Sequence, residues 1–588
     1  MKRLFLTLAA CAALCACSKD DADSQKTPVF TGDTAYLNVR ISDAATRASA
    51  GDPNEFENGS ANEYAVSDAK FYFYDANEAF VTQASVWNGG DPVGGDGNIE
   101  FNGNSVVVLR GLTGTSFPKY MVTVLNAPAG FQPGQRLDGM LATMAGSMYN
   151  NAGEFVMSTT SHPDQKDADN GALPYYVTEV TAANFSPEPV KATFANTVAV
   201  YVERLAAKVS LRLGDLENLD ATTGRCKLNV SVAGELNGTD DGTTSPAEGA
   251  TDIYIEFLGW ALNGTALDSY MMKNIDESWT NTAASLGLGW NWKDPTRYRC
   301  YWGKSYNYAR TDGNYPLTSG DGNLMAPGNS QAGDMNAKYL HYITAAQIGN
   351  AVSGTGSSDY CFENTNTAAL AQTRSALTSV LLKARICDKD GGALDLVRYN
   401  GLLYNKETYL GYVPNSLGLN AYYEDGQTPE GLKKYTRIGA DYLELATLGD
   451  GKVYVKMKET LPTPVYAISG ETAAEITDFT AIDTALKEFN ETGAEAIAYT
   501  GGEMYYNIPI EHLRNNEADD KTIYEANYGV VRNHHYVLSI DKLSRLGKGI
   551  FDPDEVIIPN VEDEKETYYI GATIHILSWK LVNQGVEL

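Results

Sequence analysis

The segment Tyr36-Leu37-Asn38-Val39-Arg40-Ile41 alternates apolar and polar residues near the start of the chain. This period of two places Leu37, Val39 and Ile41 on one face, as in a strand that has one side against a core. The residues that follow, Ser42-Asp43-Ala44-Ala45-Thr46-Arg47-Ala48-Ser49-Ala50-Gly51, are small or polar, and segments of this kind are accessible to proteases. The pattern predicts an amphipathic first strand that is followed directly by a cleavable segment.

Most of the remaining sequence has the pattern of short β-strands separated by turns. Runs of β-branched and aromatic residues alternate with stretches of Gly, Asn, Asp and Pro, which end strands and form turns. Regularly spaced turns are typical of a β-sandwich. The runs with the clearest strand pattern are Ala69–Tyr74, Ser105–Leu109, Tyr120–Leu125, Ile253–Phe257, Thr378–Ala384 and Tyr536–Ile540. Helices are predicted over Leu137–Met148 and Thr472–Glu491, where apolar residues recur at intervals of three and four.

The chain length and one long apolar segment predict two domains. The chain has 588 residues, whereas single domains usually contain about 100–200 residues and large β-domains somewhat more. Val198 to Leu213 is rich in β-branched and apolar residues, and a Gly- and Asp-rich stretch follows it. We expect a first sandwich domain over residues 48–213 and a second over residues 214–588.

The first residues have the pattern of an export signal. Two basic residues precede the apolar run Leu4–Ala16, which is too short to span a bilayer as a stable helix. Leu14-Cys15-Ala16-Cys17 has the pattern of a lipobox, in which the final Cys is acylated before the signal is removed. The pattern predicts a lipoprotein signal peptide over residues 1–17 and a lipid anchor at Cys17, and an ordinary secretion signal is the alternative. Both interpretations export the protein.

The acidic composition argues against nucleic acid as a partner. The formal net charge of −29 at pH 7 repels nucleic acid phosphates and anionic lipid headgroups. A charge of this size also favours solubility.

The sequence contains none of the common catalytic motifs. G-x-S-x-G, H-E-x-x-H and Walker-type loops are absent. His534 and His535 are adjacent, and neighbouring residues on a strand point to opposite faces, so the pair is not expected to hold one metal ion. We predict no catalytic residues, no metal site, no cofactor and no enzymatic activity.

A segment rich in aromatic residues, Trp279 to Met325, admits two interpretations. Its Trp and Tyr side chains have the chemistry to stack on sugar rings, which would make the protein a surface glycan-binding lipoprotein. Alternatively, the same side chains pack in long loops and in the core of the second domain.

Four cysteines lie beyond the signal segment, and they are Cys226, Cys300, Cys361 and Cys387. Four cysteines allow three pairings, and the sequence does not choose among these pairings and free thiols. None of them forms a C-x-x-C pair or lies near a His at metal-ligand spacing, so a zinc site is not expected.

Several segments in a fixed order resemble the fimbrillins of type V pili, specifically the Mfa-type major (stalk) subunits. The resemblance covers most of the chain. The segments are the lipobox at Cys17, the strand that ends before Arg47-Ala48, Val202–Val209, Gly259–Asn263, Tyr360–Thr365, Tyr528–Tyr536 and the C-terminal Ser578–Leu581. The resemblance implies a mainly β protein with two Greek-key (transthyretin-like) β-sandwich domains and a few short helices.

The resemblance also implies a processing step. In the family, an Arg-specific protease cuts the exported lipoprotein after the first strand, and Arg47 and Ala48 match that site. Residues 18–47 would then be a propeptide that contains the removable first strand. Its removal would leave a groove at the positions of Leu37, Val39 and Ile41.

The groove would be filled by the last strand of another subunit, residues 568–588. In this segment Ile570, Ile574 and Ile576 alternate on one face, and Trp579 and Leu581 continue in the opposite phase. The sequence does not decide which phase enters the groove.

The resemblance implies a pilus subunit that polymerises with identical copies and joins anchor and tip subunits. The precursor would be an outer-membrane lipoprotein, and the mature subunit would lie in a cell-surface fimbrium that serves adhesion. An anchor or tip role in the same pilus is the alternative, and the ligand on the host or bacterial surface is not indicated.

Overall fold

The computed structural model describes residues 34–43, 60–63, 65–87, 105–112, 118–159, 177–187, 197–214, 216, 219–228, 253–274, 303–305, 340–352, 357–366, 374–512, 527–543, 545–559, 570–577 and 582–583. Strands dominate these residues, as the alternating apolar pattern predicts.

The first nine strands form one sheet. They are β1 (Thr34–Asp43), β2 (Ala69–Tyr74), β3 (Phe80–Trp87), β4 (Ser105–Arg110), β5 (Tyr120–Leu125), β6 (Met157–Thr159), β7 (Thr178–Glu179), β8 (Phe185–Ser186) and β9 (Val198–Arg204). The pairing order is β2-β3-β4-β1-β9-β6-β5-β7, and β8 pairs with β1. Strand β2 also pairs with β5, so the series of paired strands from β2 to β5 closes on itself. The enclosed face is a buried apolar core that includes Phe71, Phe73, Val107, Met121 and Val202.

The second body is a sandwich of two sheets. Its strands are β10 (Ala206–Leu213), β11 (Leu219–Asp220), β12 (Arg225–Lys227), β13 (Tyr254–Asn263), β14 (Thr265–Ala266), β15 (Leu340–His341), β16 (Ser357–Phe362), β17 (Asn364–Thr365) and β18 (Ser379–Cys387). After an inserted lobe they continue with β28 (Glu503–Pro509), β29 (Gly529–Val530), β30 (His535–Leu543), β31 (Lys548–Gly549), β32 (Ile570–Leu577) and β33 (Val582–Asn583). One sheet of the sandwich has the order β16-β10-β30-β32-β33 and the other β11-β12-β13-β18-β28-β31. Strands β14 and β15 form a separate two-stranded sheet, and so do β17 and β29. A shared core, with Leu211 and Leu538 from the first sheet and Trp260 and Leu382 from the second, joins the two sheets.

The inserted lobe lies between β18 and β28, which pair with each other. Its elements are β19 (Leu396–Tyr399), β20 (Leu402–Asn405), β21 (Tyr422–Gln427), β22 (Lys433–Arg437), β23 (Leu443–Gly449), β24 (Lys452–Met457), β25 (Val465–Ser469), β26 (Thr472–Ile476) and β27 (Ala496–Tyr499). They form sheets of order β20-β19-β27-β24-β23 and β22-β21-β25-β26. The lobe has its own apolar core, which includes Tyr409, Val455 and Leu486. The sequence predicts a single second domain over residues 214–588 and does not separate this lobe from it.

The long segment Val198 to Leu213 serves two sheets. The chain runs through β9 in the first sheet, passes Leu205 and continues as β10, which pairs with β16 and β30. The change of sheet therefore occurs at Leu205, ahead of the boundary predicted at residue 213. Sequence alone did not reveal it, because both halves have the same strand pattern.

The prediction of a mainly β fold is confirmed, but both predicted helices are shorter than expected. The described residues contain α1 (Leu137–Leu141), α2 (Lys406–Ser416) and α3 (Thr480–Glu491). Helix α1 ends before Gly146, whose φ of 72° is left-handed. Residues 472–476 form β26 instead of helix, because they pair with β25 across a tight turn at Gly470, where φ is 60°.

None of the helices in the described part of the chain has the length and hydropathy to cross a lipid bilayer.

The separate core of the lobe predicts local destabilisation when a buried residue of α3 is truncated. Leu486 is fully buried, and Leu486→Ala should remove about 2–5 kcal/mol of stability from the lobe. We expect faster hydrogen exchange in peptides from residues 396–499 and unchanged exchange in β1–β9, measured by mass spectrometry. The exposed Glu488→Ala on the same helix is the control. Equal acceleration throughout the protein would show that the lobe does not unfold separately.

Candidate functional site

The first strand, β1, lies inside the sheet. Along one edge, Thr34 to Val39 pair antiparallel with β4. Along the other edge, Tyr36 and Leu37 pair with β8, and the residues from Val39 onward run parallel to β9. Both edges of β1 therefore carry ladder hydrogen bonds.

One face of β1 fills the apolar core. Ala35, Leu37 and Val39 are 0% exposed and pack in the same cluster as Phe71, Val107 and Val202. The structure thus places the predicted Leu37 and Val39 where a groove would open. Ile41 pairs with Val200 of β9.

Sequence reasoning missed Asn38, which is fully buried on the other face of β1. Its Nδ2 donates a hydrogen bond to the Thr197 hydroxyl over 2.8 Å. A buried amide is costly without such a partner, so this position requires a hydrogen-bonding side chain. In the sequence, Asn38 is a polar residue between Leu37 and Val39, and this alternation predicts a side chain that faces solvent.

Removal of β1 would therefore have two physical consequences. The apolar cluster around Ala35, Leu37 and Val39 would meet water, and facing backbone groups of β4 and β9 would lose their partners. An open site of this kind favours a replacement strand that restores both sets of contacts.

The last long strand, β32, lies near an edge of its sheet. It pairs antiparallel with β30 along its whole length. On its other side, among the described residues, Val582 and Asn583 of β33 pair with it. Ile570, Ile574 and Ile576 belong to β32, which lies in its own subunit's sheet in this structure. Trp579 and Leu581 lie outside the described residues.

Other predicted residues are also outside the described part of the chain. Cys17, Arg47, Ala48 and Cys300 belong to this group, as does all of the aromatic segment 279–325 except residues 303–305. The glycan-binding interpretation of that segment stays a prediction. The remaining cysteines, Cys226, Cys361 and Cys387, are buried, and Cys361 and Cys387 are free thiols.

The two adjacent histidines have different surroundings, although only His535 belongs to a strand, β30. His534 Nδ1 lies 2.8 Å from the Arg532 carbonyl and its ring contacts His512, whereas His535 Nε2 lies 2.8 Å from the Ser210 hydroxyl. Within the described ranges, no cluster of three or more His, Cys, Asp or Glu side chains has metal-binding geometry.

Buried ion pairs connect the first sheet to the second body. Lys208 of β10 lies 2.9 Å from Glu63, and Lys273 lies 3.5 Å from Glu203 of β9. Their charged groups are almost completely buried, and charges taken out of water require close partners. The sequence gave no sign of these pairs, because each joins residues far apart in the chain.

Glu63 has the most hydrogen-bond partners in this interface. Its carboxylate accepts hydrogen bonds from Tyr360 Oη at 2.5 Å and from the Ser60 backbone N–H at 2.6 Å. Its carbonyl accepts a hydrogen bond from Arg204 Nε. Burial by itself raises the pKa of Glu63, but the hydrogen bonds from Tyr360 and Lys208 outweigh that effect, so the pKa lies below its ordinary value.

Comparison with known proteins identifies the C-terminal part of the chain. Residues 497–585 match the family model described as major fimbrial subunit protein type IV, fimbrillin, C-terminal. These residues are similar to the C-terminal region of fimbrillins. The resemblance to fimbrillins, predicted from the sequence, is confirmed there, and the fimbrillin region includes β28, β30 and β32.

Three solved structures are similar to the chain at low identity. A proposed cell adhesion protein from Parabacteroides distasonis is 10% identical, with 93% of this chain and 98% of that chain covered and a TM-score of 0.37. A fimbrilin from Porphyromonas gingivalis is 13% identical, with 93% and 98% covered and a TM-score of 0.33. A tip fimbrial protein from the same organism, truncated at its C-terminus, is 10% identical, with 93% and 100% covered and a TM-score of 0.27. No curated protein matches the chain.

The lowered pKa of Glu63 predicts a stability difference that depends on pH. Glu63→Gln removes the charge opposite Lys208, so the variant should be about 1–3 kcal/mol less stable at neutral pH. The carboxylate's contribution is present above the unfolded-state value of 4.5 and is lost as pH falls through the lower folded pKa. Melting temperatures of the two proteins should therefore converge below pH 4.5. The exposed Glu488→Gln is the control, and a difference that does not depend on pH would contradict the assignment.

Proposed function

We propose that the protein is a structural pilus subunit that polymerises by donor-strand exchange. The fimbrillin match over residues 497–585 supports the class of protein. The observation that carries the mechanism is the internal position of β1, whose Ala35, Leu37 and Val39 are completely buried between β4 and β9. A strand in this position can be exchanged only for another strand.

In this proposal the chain is exported as a lipoprotein with its lipid on Cys17. An Arg-specific protease cuts after Arg47, which follows the end of β1 by four residues. The cut breaks the covalent link between the lipid-bearing β1 segment and the rest of the subunit. After the cut, only backbone pairing and side-chain packing hold β1 in place. The mature subunit then begins at Ala48 and has a groove between β4 and β9.

The donor in this proposal is the segment 568–588 of a neighbouring subunit. Its strand would restore the backbone hydrogen bonds of β4 and β9 and bury alternate side chains in the groove, which is a form of β-augmentation. The position of β32 near a sheet edge supports this role. To act as a donor, β32 has to give up its full-length pairing with β30 and, among the described residues, two further pairs with β33.

Within the pilus, the proposed position of this subunit is the stalk. A stalk subunit needs a groove for one neighbour and a donor strand for the other, and this chain has candidates for both. An anchor subunit would keep its lipid and would not need a donor, and a tip subunit is the other alternative. The expected partners are identical copies, anchor and tip subunits and the processing protease, the expected location is a cell-surface fimbrium, and the role is not enzymatic.

Cleavage after Arg47 predicts a block in assembly when that residue is replaced. Arg47→Ala should leave a lipidated precursor that carries β1 and forms no filaments, because the groove stays occupied. Filament yield on cells and the N-terminal sequence of the mature subunit measure the effect. Arg47→Lys is the matched control, since it keeps the positive charge but removes the Arg that an Arg-specific protease requires. Normal filaments from Arg47→Ala, or a filament subunit that begins at Cys17, would contradict the proposal.

The donor role of the C-terminal segment predicts a contrast between two proteins that both begin at Ala48. The protein that ends at Leu588 should form ladders of oligomers, because each open groove accepts a neighbour's strand. The protein that also lacks residues 568–588 should form no ladder, although its open groove makes it prone to irregular aggregation. Electrophoresis without boiling separates the two outcomes. Ladders of equal length from both proteins would show that another segment joins the subunits.

A further inference from the structure

The groove around β1 sets a requirement for each position of the strand that replaces it. The position of Ala35 has room for a small side chain, and those of Leu37 and Val39 for larger apolar ones. The position of Asn38 is buried and needs a hydrogen-bond donor for the Thr197 hydroxyl. The required pattern is small apolar, any residue, large apolar, donor, large apolar.

Three registers of the C-terminal segment meet this pattern of apolar and polar positions. In each of them, apolar residues fall at the positions of Ala35, Leu37 and Val39, and the residue between the last two has a hydrogen-bond donor. The registers place Thr573, His575 or Lys580 at the position of Asn38.

Side-chain volume separates the three registers. With His575 at the Asn38 position, Ala572, Ile574 and Ile576 replace Ala35, Leu37 and Val39. The first two swaps conserve volume and the third adds a single methylene.

The other two registers do not fit. With Thr573 at that position, Ile570 would replace Ala35 and Ala572 would replace Leu37, which overpacks one site and leaves a cavity at the next. With Lys580 there, Trp579 would replace Leu37 and a buried position would receive an ammonium group.

The geometry of the polar position also suits a histidine. Nδ1 of a His side chain is separated from the backbone by the same number of bonds as Nδ2 of Asn, so its N–H can reach the same acceptor. A single polar contact inside an apolar groove fixes register, because a slip by one residue would bury the wrong face of the strand.

We propose that the neighbouring subunit's strand enters the groove in the direction of β1 with His575 at the Asn38 position, donating a hydrogen bond to Thr197. This inference rests on the proposed function, and it selects the phase that contains Ile574 and Ile576. Trp579 then falls at the position of Ser42, which pairs with Tyr201 of β9.

Engineered disulfides test the register directly. Asn38 Nδ2 lies 2.8 Å from the Thr197 hydroxyl, so cysteine side chains at the Asn38 position and at residue 197 are expected to lie within reach of each other. The full-length protein with Thr197→Cys is combined in turn with Thr573→Cys, His575→Cys or Lys580→Cys. After processing and mild oxidation, only the His575→Cys combination should give covalent ladders under denaturing, non-reducing conditions. Thr197→Cys alone measures the background from native cysteines.

The outcomes separate the inference from the function on which it rests. Covalent ladders from Thr573→Cys or Lys580→Cys in place of His575→Cys would overturn the register and leave donor-strand exchange intact. Filaments that form without a covalent link from any of the three would also overturn the register. In that case the protein that lacks residues 568–588 decides whether this segment is the donor at all.

Conservative replacement gives a second readout that does not depend on cysteines. In filaments, His575→Asn should keep the denaturant concentration at which subunits dissociate, whereas His575→Val should lower it. Monomer melting temperatures of both variants control for effects on β32 in its own sheet. An unchanged dissociation midpoint for His575→Val would overturn the role of His575.

Discussion

The internal position of β1 is the constraint on which the first body depends. Its backbone pairs on both edges, and Ala35, Leu37 and Val39 fill the centre of the core that this sheet encloses. Water cannot replace either the backbone pairing or the side-chain packing of β1. The facing strand edges need aligned hydrogen-bond partners, and the apolar side chains need an apolar environment. Exchange of one strand for another is the only change at this site that keeps both.

The second body is bound to the first by covalent continuity and by buried charge. The chain passes from β9 to β10 through Leu205, and β10 pairs with β30, which in turn pairs with β32. The groove and the candidate donor are therefore linked through β9, β10 and β30, and the chain itself makes the step from β9 to β10. The pairs Lys208–Glu63 and Lys273–Glu203 lie beside this connection, and their burial favours one fixed arrangement of the two bodies.

The inserted lobe is separate from this connection. None of its described strands pairs with β1, β9, β30 or β32, and its core is distinct. Its insertion between β18 and β28 leaves those two strands paired, so the sandwich keeps its hydrogen-bond ladder. Large insertions at such a site are tolerated because the closure entropy of a long connection grows slowly with its length.

The sequence by itself determined the strand class, the phase of β1 and the fimbrillin resemblance, because period-two patterns and turn residues are local signals. It predicted that Leu37 and Val39 face the core, where both are buried. It did not identify Asn38 as buried, because a buried polar residue with a distant partner has the pattern of a surface position. Only the tertiary structure decided that the sheet changes at Leu205, that residues 472–476 form a strand and that Glu63 meets Lys208. Each of these depends on which strands become neighbours, and pairing between distant segments leaves no mark in the sequence of either one.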